Sequence, residues 1–506
     1  MPTSTIDDST SDGGTSSSYS STSSNVTTNN DELLRYQSLL SQPTSSNAQG
    51  CMPSDADKEE LRIAPLVWWD VKSHLDQDPN PANHLQQYAI LGNFVSDIHS
   101  QQQQPVKPVL LNTNSPWSAF LCGSQGSGKS HTMSTMLENC LLQQEELGKN
   151  PNPLAALVLH YDGARGSGVC EAAYLCSRVK TTVLISASNY GNLKRRYEDM
   201  ARKHGATIKV KRLLISTEHL DTERVKTLMA VTRDGDVPLY IQSLIKIIRE
   251  IAIERGGVGT FDYQEFKARL EKQLFSERQN QPLRLRIDLL ESFLEVERKK
   301  ASRDSLIGSP GELTIVDLTD PMVDVDAACV LFDTCLSIFL AQTKRCGKIV
   351  ALDEAHNYLL DGSDAAKQFT GKLLKSIREQ RHQGTRVVIA TQEPTLDTKL
   401  LDLCSIVMVH RCTSPAWFDV LKKHIAGVYL DHDSDHVGES KAARERALFQ
   451  KIVGLKLGES FLFCPTAAMD VEDNVVGRML DRFVKFRTRK RCTADGGLTR
   501  LAEEKS

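Results

Sequence analysis

From about residue 109 to 470, short apolar runs alternate with longer stretches whose apolar positions recur every three or four residues. The runs are "WSAFLC", "AALVLHY", "TTVLISA", "KRLLIS", "LTIVDL", "KIVALD", "TRVVIAT", "SIVMVH" and "ESFLFC". Segments this short, apolar at successive positions and rich in Val, Ile and Leu, predict strands buried on both faces, and the longer periodic stretches predict helices. The expected fold is α/β, a mostly parallel sheet flanked by helices. Between about 236 and 305 the strand signals stop and amphipathic patterns take over ("YIQSLIKIIREIAI", "FDYQEFKARLEKQLF", "RLRIDLLESFLEVERKK"), which predicts a helical insertion inside the 109–470 domain.

Outside this region the pattern weakens. Residues 1–58 are dominated by Ser, Thr, Asn and Asp, too poor in apolar surface to offset the entropy of ordering, and read as a disordered tail. Within it "DELLRYQSLL" has helical spacing. Residues 59–108 form a short globular segment, with "SQQQQPVKP" as a linker, and residues 471–506 read as a basic helix and tail.

The chain has 506 residues and a formal net charge of −3, so no global field favours nucleic acid or an anionic membrane. Its 12 cysteines show no CxxC pair and no zinc-type Cys/His spacing, which points to reduced, mostly buried thiols. No apolar run approaches the ~18 residues of a membrane span, and the N-terminus has no signal-peptide core. These features predict a soluble intracellular protein, cytoplasmic or nuclear, without a membrane partner.

Gly123, Ser124, Gln125, Gly126, Ser127, Gly128, Lys129 and Ser130 match the phosphate-loop pattern GxxxxGK[ST]. A predicted strand enters the loop and a predicted helix leaves it through His131. Glycines let consecutive backbone N–H groups turn toward phosphate oxygens at the positive end of that helix. In this arrangement Lys129 reaches the β- and γ-phosphates, and Ser130 is a ligand of Mg²⁺.

Hydrolysis needs an acid at the end of a neighbouring strand. "KIVALDEAHNYL" supplies Asp353 for the Mg²⁺ shell and Glu354 to polarise the attacking water. Asp317 in "ELTIVDLTD" is a second candidate for the metal acid, ranked lower because no Glu adjoins it. Gln392 follows the "TRVVIAT" strand, level with the phosphates in a parallel sheet, where it serves as a γ-phosphate sensor or as a plain polar strand cap. His356 fits two roles equally, coupling hydrolysis to movement or packing beside the site. The implied cofactors are ATP and Mg²⁺.

The succession of phosphate loop, "DEAHNYL", the basic helix "IREQRHQG", "VVIATQEP" and "CSIVMVHRCTSP" resembles the HerA/FtsK superfamily of ring-forming motor ATPases, closest to its HerA-like branch. The similarity spans about residues 109–470. It implies a P-loop ATPase of the RecA/ASCE type, with Lys129 and Ser130 as Walker A, Asp353 and Glu354 as Walker B, and Gln392 as polar sensor. It also implies a homo-oligomer, often a hexamer, with DNA as a candidate substrate and an arginine supplied in trans, for which Arg378, Arg381 and Arg411 are candidates. The chain departs from this pattern in having only about 50 globular residues before the loop, where HerA-type translocases carry a sizeable β-barrel.

"DEAH" also invites comparison with DEAH-box helicases, but those enzymes need a second RecA-like domain, for which the chain after "ATQEP" is too short. The nucleic-acid case rests on Arg478, Arg482, Lys485, Arg487, Arg489, Lys490 and Arg491, interleaved with Phe483 and Phe486. This stripe fits a phosphate-binding surface, a nuclear-import signal or a solvated helix end. The alternative to a DNA motor is an ATP-dependent assembly or signalling scaffold that touches no nucleic acid.

Overall fold

Eight of the nine apolar runs become strands of one large sheet, while "KRLLIS" is divided between the end of an exposed edge strand and a separate two-residue strand. The computed structural model describes residues 55–95, 106–163, 168–217, 239–254, 262–273, 277–295, 308–341, 346–359, 362–424, 441–472 and 475–497, with the isolated positions 256, 275 and 306. The Ser-rich tail to residue 54, its "DELLRYQSLL" segment, most of the linker and the last nine residues lie outside the described residues. From Asp55 onward the chain forms one compact unit.

The strands in chain order are β1 (Leu66–Trp68), β2 (Tyr88–Phe94), β3 (Pro108–Asn112), β4 (Ser118–Cys122), β5 (Gly148–Lys149), β6 (Ala155–His160), β7 (Lys180–Ile185), β8 (Lys209–Arg212) and β9 (Ile215–Ser216). They continue with β10 (Leu294–Glu295), β11 (Glu312–Asp317), β12 (Lys348–Asp353), β13 (Thr385–Thr391), β14 (Ile406–His410), β15 (Glu459–Phe463), β16 (Ala468–Glu472), β17 (Val475–Arg478) and β18 (Val484–Thr488). One half of the main sheet is parallel, in the order β14-β4-β13-β12-β6-β11-β7-β8. Its central strands β4, β6, β12 and β13 are buried at every position, as expected for a sheet with helices on both faces. The edge strand β8, "KVKR", carries three cations that discourage further strand pairing.

The other half is a wing that the apolar pattern does not announce. β15 runs antiparallel to β14, and β18, β2, β3 and β1 follow antiparallel in turn, with β16 and β17 beyond them. Segments 59–108 and 471–497 thus add strands to the same sheet as segment 109–470, and the expected boundaries at 108 and 470 do not divide that sheet. The basic C-terminal helix is also corrected. Residues 484–488 form a strand because Val484, Phe486 and Thr488 alternate inward while Lys485 and Arg487 point away from the core, a period of two.

The helical insertion forms as expected, with helices Leu239–Glu254, Tyr263–Glu271 and Glu277–Ser292. The short parallel pair β9–β10 joins the chain on either side of it. Ile241, Leu244, Ile248 and Phe266 bury against the same apolar cluster as the sheet's Leu157 and Val350.

Candidate functional site

The phosphate loop bridges β4 and the helix Lys129–Leu141. Gly123, Gly126 and Gly128 take φ values of 147°, 71° and 108°, which L side chains rarely adopt. A Cβ on Gly123 would lie 2.8 Å from His410 Cβ, and one on Gly128 would lie 3.2 Å from the Gly458 backbone nitrogen. The end of β14 and the turn before β15 therefore form the wall behind the loop. Ser124 N–H donates to the Arg411 carbonyl at 2.9 Å, tying the loop to that wall. Gln125 and Gly126 are exposed at the tip.

Lys129 is buried, and its Nζ donates to the Ser124 carbonyl at 3.0 Å. Burial lowers its pKa from the ordinary 10.5 against the opposing pull of Glu354 and Asp353. A buried ammonium with little water around it gains strongly from an arriving polyphosphate.

The sheet order places the acids. β13, which leads to Gln392, lies between the loop strand β4 and the acid strand β12, so Thr391 pairs with Cys122 and Leu352 with Ile389. This is the strand order of an ASCE-type P-loop NTPase, the fold that the resemblance implies. Asp353 ends β12, buried, with Oδ1 lacking any hydrogen-bond partner. Oδ1 and the Ser130 hydroxyl are hard oxygen donors of the kind Mg²⁺ takes, so the residues present fit that ion.

Asp317 ends β11, and in register it and Asp353 flank His160 on β6. It accepts hydrogen bonds from the Tyr197 hydroxyl and the Thr319 backbone N–H, so its carboxylate is already used in holding the sheet ends together. That favours Asp353 over Asp317 as the metal acid.

Glu354 has φ 49° and ψ 47°, one of two non-glycine residues in left-handed conformation among the described residues. Such a backbone costs about 1–3 kcal/mol and persists only where its surroundings enforce it. Here the turn carries the carboxylate toward Gln392, whose Nε2 donates to Glu354 Oε1 at 2.7 Å. His356 Nδ1 lies 3.5 Å from Oε2 and 3.4 Å from the Gln392 backbone nitrogen. Burial, then the neighbouring Asp353, raises the Glu354 pKa, while Lys129, Gln392 and His356 restrain the rise. The result is a carboxylate more basic than usual yet held in place.

Several contacts at this site have no signal in the sequence. Trp417 Nε1 donates to the Gln392 carbonyl at 2.6 Å, and its ring meets Phe120 of the loop strand edge-on at 6.4 Å. His160 and Cys170 both approach Asp353 Oδ2, at 3.4 and 3.7 Å. Burial alone would lower the His160 pKa, but Asp353 and the nearby Asp317 and Glu354 raise it to about 9.

The remaining predicted residues are dispersed. His131 Nε2 meets the Arg489 carbonyl at 2.8 Å, and its Nδ1 lies 3.5 Å from Asp495. Arg411 is exposed on the rim of the phosphate loop, whereas Arg378 and Arg381 are exposed ahead of the amino end of β13, away from the phosphate end of their own sheet. In the basic stripe, Arg478 pairs with Glu60, Lys485 and Arg487 with Glu459, Arg489 with Glu138, and Arg491 with Glu171. Phe486 is fully buried, and Phe483 packs edge-on against Phe461 at 5.1 Å. Most of the stripe's cations are therefore ion-paired, on strands and loops rather than on a helix, which corrects the reading as a solvated helix end.

None of the eleven cysteines among the described residues forms a disulfide, and no helix among them is long and apolar enough to cross a membrane. No family model and no curated protein matches the chain. Among solved structures, VirB4 of Thermoanaerobacter pseudethanolicus is similar at 11% identity and a TM-score of 0.43, over 80% of this chain and 97% of that one. The genome packaging NTPase B204 from Sulfolobus turreted icosahedral virus 2, in complex with ATP-gammaS, is similar at 9% identity and a TM-score of 0.28, over 72% and 96%. The cytoplasmic domain of the Thermomonospora curvata Type VII secretion ATPase EccC is similar at 13% identity and a TM-score of 0.27, over 82% and 29%. Likeness at this level carries nothing about activity, so function rests on the chain's own side chains.

Proposed function

We propose that the chain is a Mg²⁺-dependent ATPase in which the loop 123–130 binds the phosphates, Ser130 and Asp353 hold the metal, and Glu354 takes the proton of the attacking water. The observation that carries this reading is the convergence, at the carboxyl ends of central strands, of a buried Lys129, an unpartnered Asp353 oxygen and a Glu354 made more basic by burial. When bound, Mg²⁺ neutralises charge on the β- and γ-phosphate oxygens. Gln392 holds Glu354 before the nucleotide arrives and is placed to exchange that bond for one to the γ-phosphate or the water. An arginine from a neighbouring copy completes the site, and Arg411 suits the role by its place on the rim. Replacing Lys129 by Ala tests the nucleotide assignment. ATP binding and hydrolysis should both collapse, and retention of either in the folded variant refutes it.

For the work driven by hydrolysis, a motor acting on DNA within a homo-oligomeric ring follows from the family resemblance. One observation favours the second reading, a scaffold that binds no nucleic acid: five of the seven stripe cations are paired with carboxylates. ATPase rates with and without double-stranded DNA, on material of measured oligomeric state, separate the two. Stimulation supports the motor, and its absence in an assembled ring supports the scaffold.

A further inference from the structure

His160, Cys170 and Asp353 come from the end of β6, the segment before β7 and the end of β12, and no mechanism above uses the first two. Their ligand atoms, an imidazole nitrogen, a thiol sulfur and a carboxylate oxygen, all lie within 4.8 Å of one another, and all three residues are buried. His160 Nδ1 lies 3.4 Å from Asp353 Oδ2, and Cys170 Sγ lies 3.7 Å from the same oxygen. A tetrahedral zinc centre, with bonds of about 2.0–2.2 Å to nitrogen and oxygen and about 2.3 Å to sulfur, sets its ligand atoms roughly 3.3–3.6 Å apart. The observed spacing needs only small side-chain adjustments to reach that geometry.

Two further observations point to a ligand rather than to packing alone. Asp353 Oδ1 is buried without a hydrogen-bond partner, and His160 Nδ1 is buried with no tighter contact than its 3.4 Å approach to Asp353 Oδ2, an arrangement that is costly unless something else engages these atoms. Cys170 is held from behind, since its backbone N–H donates to the Tyr197 hydroxyl, which in turn donates to Asp317. Such outer contacts fix the direction of ligands in metal sites. A mixed nitrogen, sulfur and oxygen set selects zinc-like ions over Mg²⁺, which prefers oxygen alone.

We propose that His160, Cys170 and Asp353 form a three-ligand site for a thiophilic divalent cation of the Zn²⁺ class, and that its occupancy withdraws Asp353 from the nucleotide's metal and stops hydrolysis. On binding, the Cys170 thiol proton and the proton that Asp353 holds on His160 both leave to solvent, the sulfur binds as thiolate and the imidazole as the neutral base, and a fourth position stays open for water. The inhibitory half rests on the reading of Asp353 as the Mg²⁺ acid. The binding half does not.

The test uses the full chain, reduced and stripped with chelator, and Co²⁺ and Zn²⁺ alone as probes. Co²⁺ should produce a thiolate-to-metal charge-transfer band and tetrahedral visible bands, displaced by one equivalent of Zn²⁺. Cys170→Ser should abolish the charge-transfer band, and His160→Gln should weaken metal affinity at least about 100-fold, since even outer-shell losses cost 10–100-fold. In ATPase assays under excess Mg²⁺, one equivalent of Zn²⁺ should lower the wild-type rate at least tenfold, with each variant normalised to its own metal-free rate and requiring far more Zn²⁺. Absence of the band in wild type, or its persistence in Cys170→Ser, overturns the site. The band together with unchanged hydrolysis overturns the withdrawal of Asp353. The band in a chain that hydrolyses no ATP at all leaves the metal site standing and refutes the ATPase reading instead.

Discussion

The side-chain amide of Gln392 donates to Oε1 of Glu354 at 2.7 Å, joining the end of β13 to the left-handed turn after β12. The amide therefore fixes where the candidate base points while no phosphate is present. Gln392→Ala should lower kcat by about 10²-fold, the scale of losing one preorganised donor, and leave ATP affinity nearly unchanged. Single-turnover hydrolysis beside a nucleotide-binding titration checks this, and equal loss in both would make Gln392 a binding residue.

Trp417 positions Gln392 without reaching the phosphates. Trp417→Phe preserves the ring against Phe120 but leaves the Gln392 carbonyl without its indole donor, a loss of about 1 kcal/mol. The expected result is a several-fold fall in kcat with little change in KM or unfolding midpoint. A large drop in stability with no kinetic effect would assign the tryptophan to packing alone.

Glu138, fully buried on the P-loop helix, accepts from Arg489, the backbone N–H groups of Cys492 and Thr493, and the Thr493 hydroxyl. The C-terminal segment thus straps the helix that carries Lys129. Removing one side of such a buried pair costs about 3–5 kcal/mol, so Glu138→Ala should lower the urea midpoint sharply. Burial opposes ionisation of Glu138, yet the Thr493 and Arg489 hydrogen bonds win and hold its pKa below the ordinary 4.5. Its stabilisation is accordingly complete above pH 4.5 and fades as acid carries the pH down through the lower folded value.

His410 works in the opposite sense to a paired histidine. Burial first, then Lys129, lowers its pKa from 6.5 to about 3, so the folded protein keeps it neutral where the unfolded chain protonates it. Stability should fall as pH drops from 6.5 toward 3, by about 1.4 kcal/mol per pH unit for this one proton. Denaturant titrations of wild type and His410→Gln across that window check this. The variant should lose that share of the slope.

For the basic stripe, Arg487→Ala should reduce stability through Glu459, which is buried and left with one cation fewer. The salt dependence of any double-stranded DNA binding should stay unchanged, because a residue already paired releases no counterion. A slope reduced by about one would place Arg487 on a phosphate.

The parallel half of the sheet was legible because strands such as β6, β12 and β13 bury every residue, and runs as short and β-branched as "LTIVDL" or "TRVVIAT" fit a covered strand better than a helix. The wing was not, because β18 spends its two-residue alternation on Lys485 and Arg487, which in one dimension resemble a basic helix. Lys129, Asp353 and Glu354 announce themselves by local motif. His160, Cys170 and Trp417 do not, since their meaning lies in register across β11, β6 and β12 and in contacts between distant residues, such as Cys170 and Asp353, which are 183 positions apart. The adjoining Glu354 already sets Asp353 apart in the sequence, but the Tyr197 hydroxyl that occupies Asp317 has no sequence signal.

The measurement that most directly tests the account is Mg²⁺-dependent ATP hydrolysis by wild type and Glu354→Gln, with nucleotide binding measured on the same samples. If Glu354 is the base, the variant should bind ATP as wild type does and hydrolyse it about 10²–10⁴-fold more slowly. Hydrolysis at the wild-type rate by a variant that binds ATP normally would contradict it.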